Sequence, residues 1–226
     1  MIKRIFQNLL IKHGKSYKLD ENISNKLVVS FIFNRLIMML RGLVKTRRKI
    51  FFGKGVQVLN VRNFKFGNAC TVEKQVLIDC FAQKKIVFGD VVKIGAFTTI
   101  STTSHLSKYG IGIEIGNNSA VGEYSYFGCS GGIKIGNDVI MGQYISFHSE
   151  NHNFTDNSKL IREQGVTSKG IELGNNIWVG SKVTFLDGCK VADNSVVAAG
   201  AVVSEAFPKN VVIGGVPAKI IKHLNA

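Results

Sequence analysis

Two histidines with three residues between them, His148 and His152, flank the segment Ser149-Glu150-Asn151, and the polar stretch that follows carries Lys159, Arg162, Glu163 and Lys169. Imidazole is the side chain that can take a proton from a weak nucleophile near neutral pH. The charges of the same stretch could hydrogen-bond a hydroxyl-rich or anionic partner. With His105, the pair could instead offer three imidazoles to a zinc ion. The chain's one tryptophan, Trp178, directly precedes an apolar residue, Val179.

These side chains need a scaffold, and the spacing of apolar residues describes it. Leu173, Val179, Phe185, Val191, Val197 and Val203 fall six apart, as do Phe66, Val72 and Ile78, then Phe88 and Ile94, Ile115, Val121 and Phe127, and Ile135 and Met141. Neither an amphipathic helix nor one long strand holds that period, because their faces repeat near 3.6 and 2.0 residues. Glycine follows many of these positions, and Asn117-Asn118, Asn137-Asp138, Asn175-Asn176 and Asp193-Asn194 sit where turns are needed. Three such units close a triangular rung of about 18 residues, and stacked rungs bury their aliphatic residues on one another. The period therefore predicts an all-β solenoid, a parallel β-helix over 50–205, with Trp178 pointing outward by alternation.

The period breaks in three places: irregularly over 50–100, at Ser101 to Gly112 with His105, and over an extruded loop at 149–170. Loops leaving a stiff solenoid are where specificity is carried. The last rung is expected to end at Val203, with Phe207-Pro208 opening a short C-terminal cap over 206–226.

Composition narrows the partners. The chain has 29 Lys and Arg against 15 Asp and Glu, a net charge of +14, which predicts an anionic partner: cofactor or sugar-nucleotide phosphates, a membrane surface, or nucleic acid. No helix-turn-helix, zinc-finger or aromatic-stacking signature accompanies the charge, which argues against nucleic acid. Cys70, Cys80, Cys129 and Cys189 lack CxxC spacing and no cleavable signal sequence is evident, so small buried thiols in a reducing, cytoplasmic setting are expected. Residues 1–49 lack the period and read as a helical, basic segment. Its apolar run at 27–44 is interrupted by Asn34, Arg35 and Arg41, which favours an amphipathic helix over a spanning one. Such a helix could pack on the solenoid or on a neighbouring subunit. It could also lie on the inner face of a membrane, held by Lys3, Arg4, Lys12, Lys15 and the run Lys45, Arg47, Arg48, Lys49.

Four landmarks together resemble one family: the repeats, the loop start Ser149 to Phe154, the segment Asn176-Ile177-Trp178-Val179-Gly180-Ser181, and the tail Gly215-Val216-Pro217-Ala218-Lys219. Over about 50 to 222 the sequence is similar to the hexapeptide-repeat acyltransferases, in the branch of the maltose, galactoside, xenobiotic and polysaccharide O-acetyltransferases. The resemblance implies a left-handed coil, a homotrimer with its active site between neighbouring prisms, and acetyl-CoA as donor with no metal. It implies that His152 is the general base, that Trp178 lies along the pantetheine arm, that Ser181, Ala199 and Ser204 contact coenzyme A, and that Lys219 lies near its phosphates. The acceptor side is assigned to His148, Arg162 and Glu163.

Glu150, Glu123, Asp156 and backbone carbonyls are candidates to orient His152, and Gly142 and the Gly128 to Gly132 stretch are candidate oxyanion donors. One departure is Ser204-Glu205, where relatives often place Thr-Lys; a phosphate contact is lost there unless Lys182, Lys190, Lys209 or Lys219 replaces it. The implied function is transfer of acetyl from acetyl-CoA to a saccharide hydroxyl in surface polysaccharide or glycan biosynthesis. The alternatives are N-acetylation of an amino sugar nucleotide, a non-catalytic scaffold, and a zinc lyase, whose relatives use a wider histidine gap than His148 and His152 offer.

Overall fold

Strands of two to four residues succeed one another from Phe51 to Gly214 and collect into three parallel sheets, the three faces of a prism. The computed structural model describes residues 2–12, 18–103, 105–106 and 108–225. Each face carries one inward apolar column. On the first face Phe52, Val72, Ile94, Val121, Met141, Val179, Val197 and Ile213 stand in register. Val58, Ile78, Ile100, Phe127, Phe147, Phe185 and Val203 form the second. The third runs Phe66, Phe88, Ile115, Ile135, Leu173, Val191 and Phe207. The six-residue period is thus the distance from one face to the next, as expected of a parallel β-helix.

The interior is apolar, with an aromatic stack in the second column. Phe127, Phe147 and Phe185 are fully buried and stack at 4.7 and 4.6 Å. Each such ring contributes about 1.5–3 kcal/mol by its removal from water. All four cysteines are buried and free, as the sequence suggested. Burial, with a smaller push from Asp79 for one and Asp187 for the other, raises the Cys80 and Cys189 thiols to about 12.

The breaks in the period share one place. From third face to first to second the spacing is six residues through Leu173 to Phe185, but between second and third faces it widens, from Ile78 to Phe88, Ile100 to Ile115, Phe127 to Ile135 and Phe147 to Leu173. Every extra residue therefore leaves at the same corner. The other two corners repeat. Between third and first faces an Asn/Asp ladder joins the rungs, each carboxyl or amide oxygen accepting the N–H of the turn above: Asn68 to Asp90 (2.6 Å), Asp90 to Asn117 (2.8 Å), Asn117 to Asn137 (2.8 Å), Asn137 to Asn175 (2.9 Å) and Asn175 to Asp193 (2.6 Å). Between first and second faces Phe97, Tyr124 and Tyr144 take φ near +60° and stack outside the coil at 4.9 and 5.2 Å.

Two helices precede the prism, α1 (Ile2–Lys12) and α2 (Asn25–Thr46). Ser24 caps α2, its hydroxyl accepting from the Leu27 N–H, and Arg47 ends it in a left-handed conformation. Val28, Met38 and Gly42 are buried against the top of the first face. Gly42 is required there, because a Cβ would stand 1.8 Å from the Ile50 carbonyl oxygen. Arg35 lies 3.5 Å over the Phe51 ring and donates to the Thr71 hydroxyl, and burial lowers its pKa. Lys15 lies outside the described residues.

The coil runs further than the expected last rung at Val203. Ala206–Phe207 pairs under Lys190–Val191 and Val211–Gly214 under Val196–Val197, before Lys219–His223 returns antiparallel to close the end. Pro208 does not stop it because it falls in an exposed turn just past the strand.

Candidate functional site

The longest insertion is held at both ends. Ser149, buried immediately after the second face, donates its hydroxyl to the Gly128 carbonyl (2.7 Å) and accepts the Gly131 N–H (2.9 Å). At the return, the buried Asp187 carboxylate accepts the N–H groups of Lys169 (2.8 and 2.9 Å) and Gly170 (2.8 Å). Between these anchors the chain leaves the coil as a two-stranded ribbon, Asn151–His152 against Val166–Thr167. The Gln164 side chain ties its tip, accepting from the Asp156 N–H and donating to the carbonyls of Asp156 and Lys159.

A second insertion from the same corner, two rungs earlier, meets this ribbon. Its Lys108 forms an ion pair with Glu150 (3.5 Å) and a hydrogen bond to the Ser168 hydroxyl. Together they enclose a cleft of about 610 Å³ lined by His105, Lys108, Glu150, His152, Arg162 and Glu163. The His152 ring is exposed and makes no hydrogen bond among the described residues, so both of its nitrogens are open to a ligand. Two cations, two carboxylates and two imidazoles give the cleft many donors and acceptors with little net charge. Such a lining suits a neutral, hydroxyl-rich ligand whose proton His152 could take.

Of the expected acceptor residues, Arg162 and Glu163 share the cleft with His152 and His148 does not. His148 points outward from the second face, its Nε2 2.6 Å from the Ser146 hydroxyl and its ring 5.8 Å from that of Tyr126. Among the three acidic candidates to orient His152, Glu150 alone lines the same cleft. Glu123 lies by the corner between first and second faces, and Asp156 is engaged by Ser158 and Lys159. The candidate oxyanion donors at Gly131, Gly132 and Gly142 are already spent, since their N–H groups bond to Ser149, Cys129 and Val179 within the coil.

The residues expected to hold coenzyme A lie elsewhere. Trp178, 60% exposed, stands on the first face between Ile140 and Val196. Ser181 and Ala199 occupy successive rungs of the corner between first and second faces, where Ser181 donates to the Gln143 side chain (3.0 Å). Beside them Gly200 (φ +73°) has nothing within 4 Å of where a Cβ would stand, leaving an open shelf of backbone that a thin chain can approach. Lys219 opens the closing strand beside Gly214, and Ser204 lies at the insertion corner near the bottom of the coil. Of the lysines that could replace the missing phosphate contact, Lys190 is paired with Glu172 (3.2 Å), whereas Lys182, Lys209 and Lys219 make no ion pair among the described residues. In a three-sided prism the first face is opposite the insertion corner, so one copy of the chain keeps Trp178 and His152 on opposite sides.

Lys108 and Asp187 were not apparent from the sequence. Lys108 belongs to a different insertion from the one it pairs with. Asp187 is foreshadowed only by the Asp-Gly pair that interrupts an otherwise aliphatic turn. Among the described residues, no three of His, Cys, Asp and Glu converge as metal ligands.

No protein-family model matches the chain. It is 36% identical over 81 residues to the galactoside O-acetyltransferase of Escherichia coli, which covers 36% of this chain and 37% of that one. A second Escherichia coli protein, provisionally named for O-acetyl transfer in lipopolysaccharide biosynthesis, is 45% identical over 58 residues, 26% of this chain and 30% of its own length. The chain thus spans only about a third of these relatives. The crystal structure of a maltose O-acetyltransferase from Clostridium difficile superposes with a TM-score of 0.51 at 25% identity, covering 62% of this chain and 71% of that one. The parallel sheets and this neighbour fit a left-handed β-helix. The relatives are acetyltransferases by name, matching the family that the motifs resemble.

Proposed function

We propose that the chain transfers an acetyl group from acetyl-CoA to a hydroxyl of a saccharide, with His152 as general base in the cleft at the insertion corner. The observation that carries this is the unpaired His152 ring facing a cleft of balanced charge with Lys108, Arg162 and Glu163. Acetyl-CoA supplies the acyl group already activated as a thioester. His152 takes the proton of the acceptor hydroxyl as its oxygen bonds to the acyl carbon; the carbon–sulfur bond breaks and the proton passes to sulfur, releasing a free thiol. Arg162 and Glu163 hold neighbouring hydroxyls of the acceptor and set its orientation. The Lys108–Glu150 pair fixes the wall against which the ribbon carrying His152 rests.

The acyl donor is assigned to Trp178, Ser181, Ala199 and the shelf at Gly200, with Ser204 along its course and Lys219, Lys182 or Lys209 at its phosphates. Because Trp178 on the first face opposes His152 in one copy, the complete site requires a neighbouring copy, and a homotrimer supplies three equivalent clefts. The provisional lipopolysaccharide assignment of one relative supports an acceptor used in surface-glycan biosynthesis. The free, buried cysteines support a reducing, cytoplasmic compartment.

Thiol release from acetyl-CoA, followed with a panel of hydroxyl- and amino-bearing saccharides, tests the reading. Wild type is expected to respond to hydroxyl acceptors, and His152→Ala to lose about 10²–10⁴-fold of that rate. Turnover confined to amino sugars would replace O-transfer with N-transfer, and no turnover or acetyl-CoA binding at all would support a scaffold.

A further inference from the structure

The net charge is concentrated ahead of the prism. Residues 1–50 hold twelve Lys and Arg against Asp20 and Glu21, so ten of the fourteen net positive charges precede the first strand. In the same segment α2 has two opposed faces. One is fastened to the coil through Val28, Arg35, Met38 and Gly42. The other presents Val29, Phe33, Leu36, Leu40 and Val44, which are 47%, 64%, 48%, 59% and 83% exposed. Their spacing of four, three, four and four residues puts them on one stripe about 22 Å long, with no charged residue within it.

By length and composition α2 could cross a membrane. Its fastening forbids that: crossing would pull Arg35 from Phe51 and Thr71 and lift Gly42 from its contact with the Ile50 backbone. The helix can lie in an interface but not through it. A second copy of α2 is a poor cover for the stripe, because the partner would bring the same excess of cations. An anionic surface matches both properties. Lys45 and Arg48 spend hydrogen bonds on the carbonyls of Val56 and Phe66, while the exposed Lys26, Arg47 and Lys49 make no ion pair among the described residues.

We propose that α2 docks the protein on an anionic lipid bilayer, with Val29, Phe33, Leu36, Leu40 and Val44 entering the headgroup and acyl boundary and Lys26, Arg47 and Lys49 meeting the headgroups. This goes beyond the acetyl-transfer reading and does not depend on it. Co-flotation of the full chain with phosphatidylcholine vesicles, with and without phosphatidylglycerol, tests it. Binding should be about tenfold or more tighter to the anionic vesicles and weaken with salt. Leu36→Asp/Leu40→Asp should lose at least about tenfold of that binding, and Lys26→Glu/Lys49→Glu a smaller, salt-dependent share, with unchanged melting temperature and thiol release on a soluble acceptor. Failure of wild type to float with anionic vesicles overturns the proposal, as does retained binding by the Leu36/Leu40 variant. Dissociation of oligomers by that variant, without vesicle binding by wild type, would assign the stripe to a second copy instead.

Discussion

The corner between third and first faces and the corner between second and third faces are built from the same coil and differ in almost every other respect. At the first, every rung repeats one device, an Asn or Asp oxygen accepting the N–H of the turn above, from Asn68 through Asp193. At the second, no two insertions are alike, and there lie His152, the Lys108–Glu150 pair and the Asp187 clamp. The repeated corner holds rung to rung. The variable corner takes its geometry from that stiffness and can spend its residues on chemistry.

Substitutions can break this division or sharpen it. Phe147→Ala, in the stacked column that supports both corners, should cost about 3–5 kcal/mol and reduce stability and activity together, read by denaturant unfolding alongside thiol release. Asp187→Ala leaves the Lys169 and Gly170 N–H groups without their buried acceptor and should cost about 1–3 kcal/mol. Its larger consequence is kinetic: the ribbon loosens, so KM for the acceptor should rise while the far-ultraviolet spectrum is kept. Asn137→Ala removes one step of the exposed ladder, where water can replace the lost partner. About 0.5–1 kcal/mol should go, with kinetics unchanged. An effect of Asn137→Ala on KM as large as that of Asp187→Ala would erase the distinction between the corners.

The last effect is confined to alkaline pH and rests on two buried thiols of the core. Burial holds the Cys80 and Cys189 thiols at about 12, above the ordinary 9.0, so the folded chain keeps protons that the unfolded chain releases. The stability this brings is fully present below pH 9.0 and is lost as pH rises from there toward about 12. Melting temperature should decline above pH 9.0, and Cys80→Ala/Cys189→Ala should flatten that decline.

The two corners were also unequally legible in the sequence. Leu173 to Val203 could be read as a coil because each inward residue repeats a chemical type at one spacing, and the turn residues Asn117, Asn137 and Asn175 mark the ladder in the same way. His152, Arg162 and Glu163 could be grouped from the sequence because they lie within one loop, and they line one cleft. Lys108 could not, since no period links its insertion to the later one that it touches across space. The irregular spacing over 50–100 concealed a simple rule: every widened step falls after the second face, and this emerges only once the columns are aligned. His148 is near His152 in sequence, whereas a strand end places the two apart.

The central claim is that the insertion corner of one copy works with the first face of another, and hybrid assemblies test it most directly. His152→Ala and Trp178→Ala chains, each inactive or nearly so alone, are co-expressed in equal amounts and their thiol release is measured with a responsive acceptor. If a site takes His152 from one copy and Trp178 from its neighbour, random assembly restores about a quarter of the sites, and the mixture should recover about that share of wild-type activity. A mixture no more active than its components would contradict the account, because it would mean that one copy holds the whole site.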